Sequence, residues 1–102
     1  MYRFTIISGF TGNNYYARGG MCYGIDSIKI KSGSNIATLY EGQETLSPGR
    51  GGRTPEEAEE LMRGSTTTIR CEENEHTYIY DLDTQAGNNT GNVIIDYYKL
   101  SD

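Results

Sequence analysis

The stretch DSIKIKSGSNIATLYE, residues 26–41, decides the fold class of this chain. Residues 27–31 alternate between polar and apolar side chains, and residues 36–40 are rich in types that suit a pleated surface. Between these two runs, residues 32–35 carry the residue types of a tight turn, with Gly33 at the position that needs a positive φ. The pattern predicts two antiparallel strands joined by a turn.

A similar unit recurs further along the chain. Residues 68–71 repeat the order hydroxyl, aliphatic, base, apolar of residues 27–30, and residues 78–81 correspond to residues 38–41. A spacing of roughly 40 residues is typical of one supersecondary unit of about four strands that is repeated within a domain. The two ribbons therefore predict an internal duplication. Chance similarity is the alternative, because strand pairs share composition for physical reasons alone.

The composition is typical of one small sheet domain with many turns. The chain has 102 residues, with 13 Gly, 9 Tyr and no Trp, which suffices for a single domain over residues 1–102. The formal net charge is −5, and the nine basic residues are scattered, whereas phosphate binding needs clustered Lys and Arg. We therefore expect no nucleic-acid partner. An acidic surface suits a cation or a basic protein patch, or it simply keeps the domain soluble.

Neither a membrane span nor a leader is visible in the sequence. No apolar run approaches the roughly 20 residues that cross a bilayer, and residues 1–7 form a strand pattern without a long apolar core. We expect no membrane partner, and a cytoplasmic protein or a mature secreted form whose leader was removed. Cys22 and Cys71 either form one disulfide or remain separate thiols, one of them buried as a small apolar residue.

A short helix is predicted near residues 55–63. Thr54 is the expected N-cap, Pro55 occupies the first helical position, and Glu57 at the third position completes a capping box. Gly64 supplies the stop. The helix should turn its acidic face to water and bury the opposite face. The residues of the predicted buried face are Ala58, Leu61 and Met62.

The remaining segments predict strands separated by two long polar loops. The loops span residues 42–53 and 81–92, where Gly, Asn and Pro dominate. The last strand begins with apolar residues on both faces, which is typical of a central position in a sheet. The predicted strands outside the first ribbon span residues 2–7, 66–72, 76–82 and 93–100.

The candidate contact surface combines polar loops with the acidic helix. A rim rich in Gly, Asn and Tyr covers residues 10–16, and the loop over residues 83–92 is similar in composition. Loops of this kind often carry binding residues, and Tyr is enriched at interfaces. The candidate partner-binding residues are Phe10, Asn13, Asn14, Tyr15, Tyr16, Glu56, Glu57, Glu60, Asn88 and Asn89.

The residue patterns indicate neither catalysis nor a cofactor. Asp81 and Asp83 are weak calcium candidates, because they lie in an oxygen-rich loop whose spacing is not that of an EF-hand. His76, the only histidine, lies among acidic residues with no obvious nucleophile. A glycosidase would need a carboxylate pair, and Glu41 with Asp81 is the pair to test. We predict that the chain is not an enzyme.

The first ribbon resembles the middle of a βγ-crystallin Greek-key domain, where a Ser-Ser-Ile-Lys-Val-like strand, a Gly turn and a Val-Thr-Leu-Tyr-Glu-like strand follow one another. Phe10-Thr11-Gly12 is similar to that family's aromatic-x-Gly signature. The resemblance implies two Greek-key motifs in a β-sandwich, with a structural, stress-related, calcium-binding or inhibitory role. The family's calcium signature is not intact, because residues 22–27 and 63–68 lack its leading acids.

A second resemblance is to jacalin-related lectins. Residues 24–28, the glycine-rich loop at 49–52 and residues 92–98 look similar to parts of their β-prism repeats, which implies sugar binding through an Asp. The family's Gly-x-x-x-Asp motif is interrupted, because Cys22 stands four positions before Asp26.

Together these patterns predict a mainly β fold, namely a Greek-key β-sandwich of two similar units with one short α-helix. The predicted function is that of a non-catalytic binding module, an inhibitor or interaction protein, which recognises a protein partner through its polar loops and its acidic surface. The alternatives are a lectin-like carbohydrate-binding module and a calcium-binding structural or stress protein.

Overall fold

Antiparallel strands make up most of the chain in the computed structural model, which describes residues 1–17, 19–42, 51–82 and 89–100. At positions 13, 15, 17, 89 and 90 only the backbone is described. The elements are β1 (Tyr2–Gly9), β2 (Gly12–Ala17), β3 (Gly20–Gly24), β4 (Ser27–Ser32), β5 (Asn35–Tyr40), β6 (Gly51–Gly52), α1 (Pro55–Met62), β7 (Thr66–Ile69), β8 (Thr77–Leu82), β9 (Asn89–Thr90) and β10 (Val93–Lys99).

The strands form three antiparallel sheets, with the orders β10-β1-β7, β6-β3-β2-β9 and β5-β4-β8. The sheets containing β5 and β7 meet along these two strands, and α1 packs against β1, β3 and β6. The predicted mainly β class with one short helix is confirmed, and the arrangement is consistent with a β-sandwich. The Greek-key order stays a prediction.

The first ribbon is confirmed as a hairpin of β4 and β5. The pairs Ser32↔Asn35 and Lys31↔Ile36 flank its turn, and the register shifts once, between Ile28 and Lys29. Gly33 has φ of 59°, the left-handed conformation that the turn requires and that glycine adopts without a steric penalty.

The prediction that the second ribbon forms a hairpin is wrong. Its first strand, β7, pairs with β1, whereas its second strand, β8, pairs with β4. The connecting chain is held against the first ribbon instead, because Asn35 Nδ2 donates to Arg70 O and Glu72 N donates to Ser32 Oγ, at 2.8 Å each. This connection carries the chain to the free side of β4, where Ile79 lies opposite Ile30. Because the two strands pair with different partners, the predicted duplication of a hairpin fails.

The core is contributed by all three sheets and the helix. Strand β1 supplies Phe4 and Ile6, which lie between β10 and β7 on the inward side of their sheet. The other buried core residues are Phe10, Ile25, Ile28, Ile30, Leu39, Ala58, Met62 and Ile69. Burying apolar surface is the main stabilising contribution to such a fold.

The helix begins where the sequence predicts. Thr54 Oγ1 accepts a hydrogen bond from Glu57 N, and the Glu57 carboxylate accepts one from Arg53 N, one residue earlier than a standard capping box. Ala58 and Met62 are fully buried, as predicted. Leu61 was expected on the same face, but it is 49% exposed. In a helix of only two turns the buried stripe is narrow, and the i, i+4 pair 58 and 62 occupies its centre.

Candidate functional site

The two polar segments predicted to form the contact rim lie side by side. Strand β2 pairs with β9 through Gly12↔Thr90 and Asn13↔Asn89, which joins residues 10–16 to the end of the second loop. The approach is close, because a Cβ added at Gly91 would lie 2.3 Å from the carbonyl oxygen of Phe10. The backbone of the predicted rim is thus a paired structure.

The side chains of the rim have different environments. Phe10 is buried and packs edge to face against Tyr23, with ring centroids 6.1 Å apart, so its ring supports the rim from the core. Tyr16 is 74% exposed, and Asn14 is half-buried opposite Tyr23. The side chains of Asn13, Tyr15 and Asn89, and the whole of Asn88, lie outside the described part of the chain.

The acidic side chains of the helix divide into two groups. Glu57 is engaged in the N-cap, and Glu59 forms an ion pair with Arg63 one turn later. Glu56 and Glu60 are exposed and lie four residues apart, so both face the same side of α1. Glu57 is exposed as well, but its carboxylate is engaged in the cap.

Of the calcium and glycosidase candidates, Asp81 lies near the end of β8 and Glu41 directly follows β5. Asp81 accepts a hydrogen bond from Thr11 Oγ1 at 3.2 Å, whereas Asp83 falls outside the described residues. Within the described ranges no group of three or more His, Cys, Asp or Glu residues could hold a metal ion. Glu41 follows the end of β5 and Asp81 lies on β8, so strand β4 separates the proposed carboxylate pair. Cys22 and Cys71 are not joined by a disulfide.

A surface that the sequence did not single out lies on the outward side of the β5-β4-β8 sheet. Here Lys29 lies opposite Tyr80 and Lys31 opposite Tyr78, while Thr38 and Ile36 flank the lysines on the other side. Lys29 Nζ donates to Thr38 Oγ1 at 2.9 Å. Tyr78 is 57% exposed and Ile36 is 60% exposed. We call these six residues the lysine–tyrosine face.

The residue pattern of the lysine–tyrosine face can be recognised in the sequence only after the pairing of β8 with β4 is known. Lys29 and Lys31, like Tyr78 and Tyr80, are two residues apart, which places each pair on one side of its strand. Nothing in the sequence says that β8 lies beside β4, because the two strands are separated by some 45 residues of intervening chain. The cation–aromatic cluster is therefore a product of tertiary pairing.

Strand β10 lies at the edge of its sheet within the described ranges. Tyr97 stacks on Phe4 with ring centroids 5.5 Å apart, yet most of its surface is exposed. On the opposite side of the strand, Tyr98 accepts a hydrogen bond from Arg3 Nη1 at 3.2 Å, and Ile94 is exposed. The strand pairs with β1 on its inner flank, and no strand in the described ranges pairs with its outer flank.

No helix in the described part of the chain combines the length and the apolar character that a membrane span needs. No protein-family model, no curated protein and no solved structure matches this chain. The resemblances to βγ-crystallins and to jacalin-related lectins stay predictions. Inferences about function therefore rest on the geometry of the described surfaces.

Proposed function

We propose that the chain is a non-catalytic binding module that recognises a protein partner. The observation that carries this proposal is the pair of open strand edges, β8 and β10, which display large apolar side chains. An edge strand presents unpaired backbone donors and acceptors, and natural proteins usually protect such edges with charges, proline or a covering segment. Recognition by strand addition uses edges of this kind.

Five of the twelve large apolar side chains that are exposed among the described residues lie on these two strands. Strand β8 exposes Tyr78 and Ile79, and β10 exposes Ile94, Tyr97 and Tyr98. A single exposed apolar residue is ordinary in a folded protein, but a contiguous apolar patch marks an interaction surface. Aromatic residues contribute most at such surfaces, because they bury a large area at a small cost in conformational entropy.

The acidic helix and the rim are the further contact surfaces in this proposal. Glu56 and Glu60 suit a basic patch on a partner, and their main effect would be on the association rate. Tyr16 offers an exposed ring at the rim. The interface would thus combine strand edges, which supply affinity, with charged surroundings, which supply orientation.

The proposal is tested by quantitative capture of proteins from the native host with immobilised protein. Ile79→Lys and Ile94→Lys each place a charge on an open edge, whereas Leu61→Lys adds the same charge at a similarly exposed position on the helix. We expect a specific set of proteins to bind the wild type and Leu61→Lys equally. At least one edge variant should bind this set about tenfold less, as expected when a central interface residue is lost.

All three variants add one positive charge, so a difference in capture between them reflects the position of that charge. If the captured set is the same for all four proteins, the edges are not the recognition surface and the proposal fails. Folding of each variant is checked by its melting temperature, so that a loss of capture is attributable to the surface.

Carbohydrate binding is the second candidate function, and the exposed Tyr16 ring at the paired rim favours it. An aromatic ring of this kind can pack against the apolar face of a sugar. We expect a Tyr16→Ala variant to lose at least about tenfold in affinity for any glycan that binds at the rim. A glycan array without hits for the wild type removes this candidate.

A further inference from the structure

We propose that β8 accepts an extended segment of the protein partner as an added strand, and that this segment alternates acidic and apolar residues. The inference rests on the proposed function and specifies the chemistry of the partner. Its three supports are the flank of β8 that pairs with no described strand, the lysines of β4 on one face of the sheet and the exposed Ile79 on the other face.

Strand β8 has an observed strand partner on one flank. The strand is paired with β4 from Thr77 to Leu82, and no strand in residues 1–17, 19–42, 51–82 or 89–100 pairs with its other side. Its side chains are exposed or half-buried on both faces. An added strand would therefore contact the backbone of β8 and side chains on both of its faces.

The lysine–tyrosine face carries positive charge in a chain whose net charge is −5. Neither Lys29 nor Lys31 forms an ion pair with a described residue. The three strands of this sheet contain one carboxylate, Asp81, and it lies on the opposite face because it alternates with Tyr80. The charged side chains that these strands place on the face are thus both lysines, although Glu72 and Glu75 lie beside Gly33 at the turn of the hairpin. The two tyrosines lie between the lysines and the outer flank of β8.

The spacing of strands sets what the added segment must carry. A strand added to β8 would lie about 4.8 Å from β8 and about 9.6 Å from β4. Lys31 is exposed and can reach across Tyr78 towards a carboxylate on the added strand, whereas Lys29 would first have to leave Thr38 Oγ1 on β5. Because side chains alternate between faces, acidic residues must recur at every second position to lie on this side.

The other face of β8 determines which residues suit the positions of the added strand that lie between its acidic residues. It presents Ile79, which is 44% exposed although it lies opposite the fully buried Ile30. An apolar side chain on the added strand would cover Ile79 and extend the core. Thr77 and Asp81 lie on the same face as Ile79, so the preference for an apolar residue applies to the position of the added strand beside Ile79.

Strand β10 does not specify a partner in this way. Its outward face combines Asp96 with Tyr98, and Arg3 lies opposite Tyr98 on β1. Charges of both signs on one face give no preference for an acidic or a basic segment. The inference is therefore restricted to β8.

Fluorescein-labelled eight-residue peptides that alternate valine with glutamate or valine with glutamine are the probes, and anisotropy at physiological salt is the readout. The Debye length is then about 8 Å, so the lysines act at contact and the more distant carboxylates of the chain are screened. We expect the glutamate peptide to bind at least about fivefold more tightly than the glutamine peptide, because two exposed charge contacts are gained.

Protein variants locate the contact. Lys29→Gln/Lys31→Gln should weaken binding of the glutamate peptide about fivefold and leave binding of the glutamine peptide unchanged. Arg3→Gln/Arg70→Gln removes the same net charge elsewhere and should bind both peptides as the wild type does. If the two double variants behave alike, or the two peptides bind equally, the lysines do not select the partner and the inference fails.

Backbone methylation distinguishes strand addition from simple ion contact. In a strand pair, alternate amides of the added strand point towards its partner. N-methylation of one alternate set in the glutamate peptide should therefore abolish binding, while methylation of the other set should preserve it. Equal binding of both methylated peptides contradicts strand addition.

An anionic polysaccharide is the competing occupant, and heparin is its probe. Heparin binding that depends on Lys29 and Lys31, with no binding of the peptides, overturns the inference. Edge-dependent protein capture without peptide binding would overturn this inference while leaving the proposed function intact, so the two failures are distinguishable.

Discussion

A Gly12→Ala variant is expected to lose at least about 3 kcal/mol in free energy of unfolding, since the added methyl group overlaps backbone atoms that cannot rotate away. A Cβ at position 12 would lie 1.6 Å from the carbonyl oxygen of Gly24 and 2.9 Å from the Cα of Ile25. The chain crosses itself here, and Asp26 N donates to Thr11 O at 3.0 Å beside the crossing. Because Gly12 and Gly24 carry no side chain, their backbones can approach each other this closely.

Gly20→Ala is the matched control, because it lies at the other end of the same β2–β3 hairpin. A Cβ at position 20 meets only Arg53 Nη1, at 3.0 Å, and that flexible side chain can move. Thermal and denaturant unfolding should show Gly12→Ala melting about 12 °C or more below the wild type and Gly20→Ala close to it. Similar stability of both variants would contradict the close crossing.

The second large effect is expected for Ile30→Ala, which should cost about 3 kcal/mol in free energy of unfolding. Ile30 is fully buried on the central strand of its sheet, between Ala37 on β5 and Ile79 on β8. Truncating it removes apolar contacts and leaves a cavity that neighbouring strands cannot fill without moving.

Ile36→Ala removes the same atoms from the adjacent strand and should cost less than about 1 kcal/mol, because Ile36 lies on the outward face. The pair tests the register directly, since a shift of one residue would exchange buried and exposed positions along a strand. Urea unfolding of the two variants gives the comparison. A larger cost for Ile36→Ala than for Ile30→Ala would contradict the observed register.

Local signals in the sequence predicted the first ribbon and the helix start correctly. The turn at Gly33 and the cap at Thr54 depend on a few neighbouring residues, whose chemistry is visible in the sequence. The prediction of a second hairpin failed because strand composition shows that a strand exists but not which strand it pairs with. Pairing of β7 with β1 and of β8 with β4 joins distant parts of the chain.

The features of the candidate site also divide into those that local sequence indicates and those that depend on tertiary structure. The sequence associated the rim at residues 10–16 with the loop at 83–92, and the pairing of β2 with β9 brings parts of both together. It could not show that Phe10 is buried, because burial depends on tertiary packing, whereas the engagement of Glu57 in the cap was predicted from the capping-box pattern. The lysine–tyrosine face escaped notice because its members come from three strands.

Gly12 is a position where the reason for glycine is visible only in the structure. The aromatic-x-Gly pattern marks the position in the sequence, but the requirement for glycine comes from the backbone of Gly24 passing against it. The same crossing positions β2 beside β9, and with them the rim. The position thus connects the stability of the fold with the shape of a candidate contact surface.

The partner proposed for β8 also accounts for the incomplete burial of that strand. Strand β8 pairs with β4, yet its side chains are exposed or half-buried on both faces. A segment that pairs with β8 would complete the sheet and cover Ile79. It would also neutralise Lys29 and Lys31. Binding of such a segment should therefore stabilise the folded chain by mass action.

The most direct test of this account is amide hydrogen exchange, followed residue by residue, with and without the peptide that alternates valine and glutamate. The account predicts that alternate amides within β8 become protected when the peptide is bound, whereas the amides of β10 and α1 keep their exchange rates. Protection confined to β10 or α1, or no change in β8 at a saturating peptide concentration, would contradict it.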